Sequence, residues 1–255
     1  MTVPRFLLLV AALSALVLVP LRGKTKPPPT VAVAMYADKG AYGNGPGMLE
    51  DEFGRTRDLR ITKVTADDIR TGKLKDFRVL IVPGGTGGTQ GKALGKDGRA
   101  AVRAFVEGGG TFVGICAGCY LASTGYDWSL DLLPARVIDR ANWERGKGTL
   151  PLEITAAGKE WFGRTDDRVK VLYCNGPVLA PLDDAPEELI VLARYRGELV
   201  RPRAEAGLML GSPAVVAARF GKGWAVGVSP HPEQTEGLRD LVPSAIRWAL
   251  AHPRQ

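Results

Sequence analysis

The chain has 255 residues, 45% of them hydrophobic and 24% charged, enough for one α/β domain of about 200 residues whose core needs no metal or disulfide staple. Its formal charge of +7 suggests nucleic acid, but Arg5, Arg22, Lys24 and Lys26 lie in the first 30 residues without an acid. Beyond them 30 basic residues face 27 acidic ones and no basic stripe carries interleaved aromatics, so no nucleic-acid partner is expected. Three cysteines and two histidines make neither a disulfide framework nor a four-ligand zinc site, and no metal or cofactor is expected.

Phe6–Pro20 (FLLLVAALSALVLVP) is apolar without interruption, the length of a signal-peptide core or a short anchor. A buried core helix would carry caps or a polar face, which this run lacks. No small-x-small cleavage pattern follows Leu21. Arg22, Lys24 and Lys26 outnumber Arg5, an order that disfavours an outward-facing body. Export is nonetheless the expectation. Residues 1–22 read as signal peptide or membrane anchor, with membrane association through residues 6–21. Residues 23–30 read as a linker stiffened by Pro27, Pro28 and Pro29, and 31–252 as a single domain in the cell envelope.

Val31–Tyr36 is a continuous apolar run of strand length. The glycine-rich GAYGNGPGM after it reads as a loop. Leu59–Thr65 alternates and is β-branched, a second strand, and a short helix should begin near Ala66. Arg78–Gly85 is a buried strand ending in a glycine turn. Thr86–Ala93 (TGGTQGKA) fails as a phosphate loop, with Thr86 where the first glycine of G-x-x-x-x-G-K belongs and Ala93 in place of Ser or Thr. It reads as a turn near the mouth of the site. Asp97–Gly110 is a helix, capped by Asp97, striped by Ala101, Val102, Phe105 and Val106, and stopped by Gly108. Thr111–Cys116 is a fourth strand running directly into a helical AGCYLAS. This alternation implies a doubly wound, mostly parallel α/β sheet. Gly125–Arg168 is irregular, an insertion or a layer over the sheet. Lys170–Cys174, Leu189–Tyr195, Pro213–Phe220 and Gly223–Pro230 are apolar runs spaced like antiparallel hairpins at the sheet edge. Gly237–His252 is a closing helix.

Gly114-Ile115-Cys116-Ala117-Gly118 places a cysteine on a sharp strand-to-helix turn. Glycines two residues before and after let the backbone approach closely. A helix N-terminus under the sulfur favours the thiolate, the reactive form. The Ala117 N–H supplies half of an oxyanion hole, and Gly84 or Gly85 is placed to supply the other half. A lone cysteine is more often a small buried apolar residue; the strand and the two glycines argue for a nucleophile here. Cys116 and Cys119 also form a C-x-x-C. That spacing leaves three options for Cys119: a redox pair, a disulfide that reversibly blocks the nucleophile, or simple packing under the turn. His231-Pro232-Glu233 follows an apolar strand, giving an imidazole for the thiol proton and a carboxylate to orient the ring. The other histidine, His252, is near the C-terminus, and Glu236 is a weaker orienter.

These residues resemble the class I glutamine amidotransferase-like superfamily, whose glycine-bracketed cysteine works with a late His-x-Glu unit. More closely, the chain resembles the amidotransferase-like domain at the N-terminus of biotin–protein ligases and its stand-alone bacterial relatives. The segments that carry this are YGNGPG (42–47), VPGG (82–85), FVEGGG (105–110), GICAGCYLAS (114–123), YCNGP (173–177) and SPHPE (229–233). The resemblance implies a flavodoxin-like fold, a triad of Cys116, His231 and Glu233, and Tyr42 and Asn175 as substrate-binding residues. The ligase domain is missing from the sequence, so biotinylation is not expected.

Two functions follow as expectations. In the first, Cys116 attacks a small amide or peptide, with hydrolysis favoured over ammonia transfer. In the second, the same pocket binds a small ligand or an unknown protein partner without catalysis. The first requires Cys116 sulfur and a His231 ring nitrogen within about 4 Å.

Overall fold

The computed structural model describes residues 30–253 except 186, 203 and 204. The expected leader and nearly all of the expected linker lie outside the described residues. Among the described residues no helix is long and apolar enough to cross a membrane.

In chain order the strands are β1 (Val31–Tyr36), β2 (Leu59–Val64), β3 (Val79–Val82), β4 (Thr111–Ile115), β5 (Ala135–Val137), β6 (Lys147–Ile154), β7 (Arg168–Cys174), β8 (Leu179–Pro181), β9 (Ile190–Tyr195), β10 (Pro213–Phe220) and β11 (Gly223–Val228). The helices are α1 (Gly45–Arg55), α2 (Ala66–Arg70), α3 (Gly87–Glu107), α4 (Ala117–Ala122), α5 (Ala156–Phe162) and α6 (Leu241–Ala251). One large sheet runs β2-β1-β3-β4-β11-β10-β9-β6-β7. Its first five strands are parallel, and each later strand is antiparallel to its neighbour. β5 and β8 form a separate antiparallel pair.

The continuous apolar runs have a simple cause: both faces of the sheet are covered. Along β1, Val33 and Met35 enter one core while Ala34 and Tyr36 enter the other. β3 divides the same way, with Val79 and Ile81 against Leu80 and Val82. Burying each such aliphatic side chain contributes about 1.5–3 kcal/mol, and a one-residue register slip would exchange the two sets. The carboxyl ends of the parallel strands face one edge of the molecule, where ligands of open α/β sheets bind.

Four readings of the sequence change. The loop expected after β1 turns into α1 at Gly45, with Pro46 in its first turn, where the missing N–H costs nothing. Thr86–Ala93 is not a turn but the opening of α3, which is interrupted at Gly95 (φ 66°) just before the expected cap Asp97. Its glycines are poor helix formers; they are there because Trp128 packs on them. A Cβ at Gly87 would stand 3.2 Å from the Trp128 ring, and one at Gly91 2.4 Å from the Trp128 carbonyl oxygen. The irregular 125–168 region contributes β6 to the main sheet. Finally, Gly223–Val228 does form the expected antiparallel hairpin with β10, but not at the edge: it sits in the interior of the sheet, parallel to β4 on its other side.

Candidate active site

Cys116 is the first residue after β4 and the N-cap of α4, held at φ 50° and ψ −101°. For a side chain with a Cβ such a conformation costs on the order of 1–3 kcal/mol. Neighbours impose it: the Cys116 N–H donates to the Val228 carbonyl of β11 at 2.8 Å, while its own carbonyl accepts from Cys119 and Tyr120. The bracketing glycines are sterically required. A Cβ on Gly114 would lie 2.2 Å from the Gly118 carbonyl oxygen, and one on Gly118 2.1 Å from the Val82 carbonyl oxygen.

The sulfur has the Cys174 carbonyl within hydrogen-bonding reach and the His231 ring beside it. The thiol donates to the Cys174 carbonyl at 3.4 Å, and the His231 imidazole stands against it. His231 follows β11 and is anchored by its N–H to the Leu172 carbonyl of β7, 2.7 Å. Its Nδ1 meets Glu233 Oε1 at 2.7 Å, which leaves Nε2 for the sulfur. Gln234 Nε2 lies 3.0 Å from Nδ1 and 3.1 Å from Glu233 Oε1. Nδ1–H and the amide N–H are both donors, so the amide's bond goes to the carboxylate. Burial alone would depress the His231 pKa; hydrogen bonds to Cys116 and then Glu233 outweigh it and raise it to about 10. These contacts favour the protonated imidazole.

Glu233 is buried beneath the ring, its Oε2 without a partner. The N-terminus of α1 closes over it: a Cβ at Gly45 would lie 3.0 Å from Oε1, and the positive end of that helix favours a carboxylate there. Glu236, the weaker orienter, is exposed.

Gly84 and Gly85 meet the same centre from β3. A Cβ at Gly84 would come 3.0 Å from His231 Cε1 and 3.8 Å from Cys116 Cβ; one at Gly85 (φ 143°) would overlap the Gly40 carbonyl at 1.9 Å. The N–H groups of Gly84, Gly85 and Ala117 donate to no protein acceptor among the described residues. Tyr42 lies on the pocket rim, its hydroxyl 2.7 Å from Thr86 Oγ1. Asn175 also lines the pocket, but its side-chain oxygen accepts from the Gly146 N–H at 2.7 Å, so it ties down the chain before β6.

Cys119 takes no part. All three cysteines are free. The Cys119 sulfur points into the opposite core, where a Cβ at Gly227 would meet it at 2.9 Å. Burial first, then the nearby Cys116, pushes its thiol far above the usual range, which makes it inert. Of the three options for Cys119, packing under the turn is the one this position supports.

Above Cys116 opens a pocket of about 680 Å³. One wall is the stacked pair Tyr126 and Trp128, 4.3 Å between centroids, with the Arg140 guanidinium 4.1 Å over Tyr126. Arg140 and its neighbours hang on a fully buried ion pair, Asp139 with Arg145, 2.7 Å. Burial raises the Asp139 carboxyl above the usual range, and Arg145 opposes that shift. Arg145→Met is expected to destabilise the protein by about 3–5 kcal/mol by stranding the carboxylate, and adding Asp139→Leu to recover most of that loss. Urea unfolding of single and double variants measures both; purely additive losses would count against this account.

The glycine-elbow cysteine and its partners now stand beside the comparisons with known proteins. Residues 58–142 match the biotin-protein ligase N-terminal family. The biotin-protein ligase N-terminal match takes in Gly84, Gly85, Cys116, Ala117 and Arg140, whereas Tyr42, Asn175, His231 and Glu233 lie outside it. Comparison with curated proteins found no match. Among solved structures, a protein from Thermoplasma acidophilum, assigned as one of the subunits of GMP synthase, is similar at TM-score 0.57 and 15% identity, over 87% of this chain and 95% of its own. A ThuA-like protein from Bacteroides uniformis is similar at TM-score 0.58 and 15% identity, over 92% and 97%. A beta-galactosidase from Bacillus circulans is similar at TM-score 0.55 and 13% identity, over 87% of this chain but 30% of its own. The fold is glutamine amidotransferase-like, a mostly parallel sheet with an antiparallel edge.

Sequence reasoning missed Gln234, the Cys174 carbonyl, Gly45 and the Trp128–Arg140 wall. Gln234 had a signal, since it directly follows the His-x-Glu unit. Gly45 and Cys174 lay in segments noted for function only by their resemblance, and the Trp128–Arg140 wall reaches the site by packing alone.

Proposed function

We propose that this protein is a cysteine-dependent amide hydrolase with Cys116 as nucleophile, His231 as acid and base, and Glu233 as orienter. The single observation that carries the reading is the juxtaposition of Cys116 with the His231 ring, both touched by a Cβ placed at Gly84, and of His231 Nδ1 with the Glu233 carboxylate at 2.7 Å, at the floor of an open pocket. With the Cys116 proton carried by the His231 imidazolium, the sulfur attacks the amide carbonyl to form a tetrahedral oxyanion. The N–H groups of Ala117 and Gly85 receive that negative charge. The C–N bond breaks as His231 returns the proton to the leaving amine, leaving a thioester on Cys116. Water, giving a proton to His231, attacks the thioester; the C–S bond breaks and the thiol and a carboxylic acid are released. The apolar run Phe6–Pro20 places this chemistry in the cell envelope in our reading.

The experiment is to incubate the protein with glutamine and a panel of small amides, follow ammonia release, and acid-quench for mass spectrometry of Cys116. Ammonia together with an acyl adduct on Cys116 is the expected result. Neither signal across the panel would sink the reading.

A further inference from the structure

The pocket over Cys116 is lopsided in charge. Arg140 and Lys147 stand exposed on its rim, and neither aspartate nor glutamate is among its lining residues. Two carboxylates next to lining residues are engaged beneath it, Asp139 by Arg145 and Glu233 by His231, each at 2.7 Å, while the exposed Asp127, between Tyr126 and Trp128, is not part of the lining. Glu144, the remaining acid of that segment, reaches away to Arg201 at 3.4 Å. The cations are also placed rather than loose. Arg140 lies over the Tyr126 ring, and Lys147 begins β6, paired in register with Cys174. An ammonium group entering this pocket meets two cations on the rim and no carboxylate in the lining to pair with; an anion meets the reverse.

We infer that the acyl compound attacked by Cys116 is an anion without a free ammonium group: a carboxylate-bearing amide whose amine is absent or acylated, its carboxylate held by Arg140 and Lys147. This rests on the proposed nucleophilic role of Cys116. It distinguishes the pocket from one built for a free amino acid, whose α-ammonium needs an acceptor that the lining does not offer.

The probes are iodoacetate and iodoacetamide, which alkylate the same sulfur with loss of iodide and differ in charge. Site-resolved mass spectrometry gives the ratio of the two rates at Cys116. Arg140→Ala/Lys147→Ala should lower the iodoacetate-to-iodoacetamide ratio about fivefold or more, and Arg140→Lys/Lys147→Arg should keep it near wild type. In a second arm, glutaramate, which is glutamine without its ammonium, should slow iodoacetamide at concentrations about tenfold below those glutamine needs. An unchanged ratio in the double alanine variant, or glutamine protecting as well as glutaramate, would overturn the inference. If neither reagent modifies Cys116 in the folded protein while both do so after unfolding, the nucleophile reading fails and takes this inference with it.

Discussion

Cys116→Ala is expected to lower amide hydrolysis by at least about 10⁴-fold, the scale on which removing a covalent nucleophile acts. The loss follows from geometry, because the other two cysteines cannot replace it. Cys119 is fully buried in the opposite core. Cys174 offers the site its backbone carbonyl. The fold should survive, since alanine keeps the backbone bonds to Val228, Cys119 and Tyr120. Cys116→Gly should be more stable than Cys116→Ala, by about 1–2 kcal/mol, because glycine adopts φ 50° without a Cβ penalty. Ammonia release and thermal melts of the three proteins test both halves. An alanine variant within tenfold of wild type would place the chemistry elsewhere.

Glu233→Gln is expected to cost about 10³–10⁴-fold in rate with little change in the pocket, by the logic of a lost ring-orienting carboxylate. An amide can offer Nδ1 its oxygen, but it no longer fixes the tautomer or stabilises the imidazolium. The same substitution moves the titration of His231. In the wild type, burial favours the neutral ring, and contacts with Cys116 and Glu233 hold the proton until pH rises through about 10. Removing Glu233 leaves burial less opposed, so the proton should be lost at lower pH. Cys116→Ala should shift it the same way. With only two histidines in the chain, proton NMR of the imidazoles reads the change directly, and His252→Ala assigns the resonances. A His231 titration unmoved by either substitution would mean that these contacts do not set its charge.

Much of the fold was legible because its signals are local. β1, β3 and β4 are buried on both faces, which leaves continuous apolar runs in the sequence, and the glycines at 114 and 118 mark a turn no other residue fits. The errors share one cause. Gly87, Gly88 and Gly91 read as a turn by propensity, yet the chain is helical there because Trp128, distant in sequence, packs on them. The run Gly223–Val228 looked like the other edge strands, since an apolar strand in the sheet interior and one beside it carry the same pattern. Only pairing with β4 separates them.

For the site, the sequence alone determined the candidates: a cysteine between glycines, a histidine that scarcity singled out, and a glutamate two residues on. It could do so because a strained turn and a two-residue spacing are written in neighbouring positions. Tertiary structure decided the rest. It turned Cys119 away into the opposite core, brought the α1 N-terminus onto Glu233, and set Arg140 and Lys147 over Cys116 with no acid among them. Those facts depend on which segments meet across the sheet, and that is decided by the packing of two cores rather than by any local run of residues.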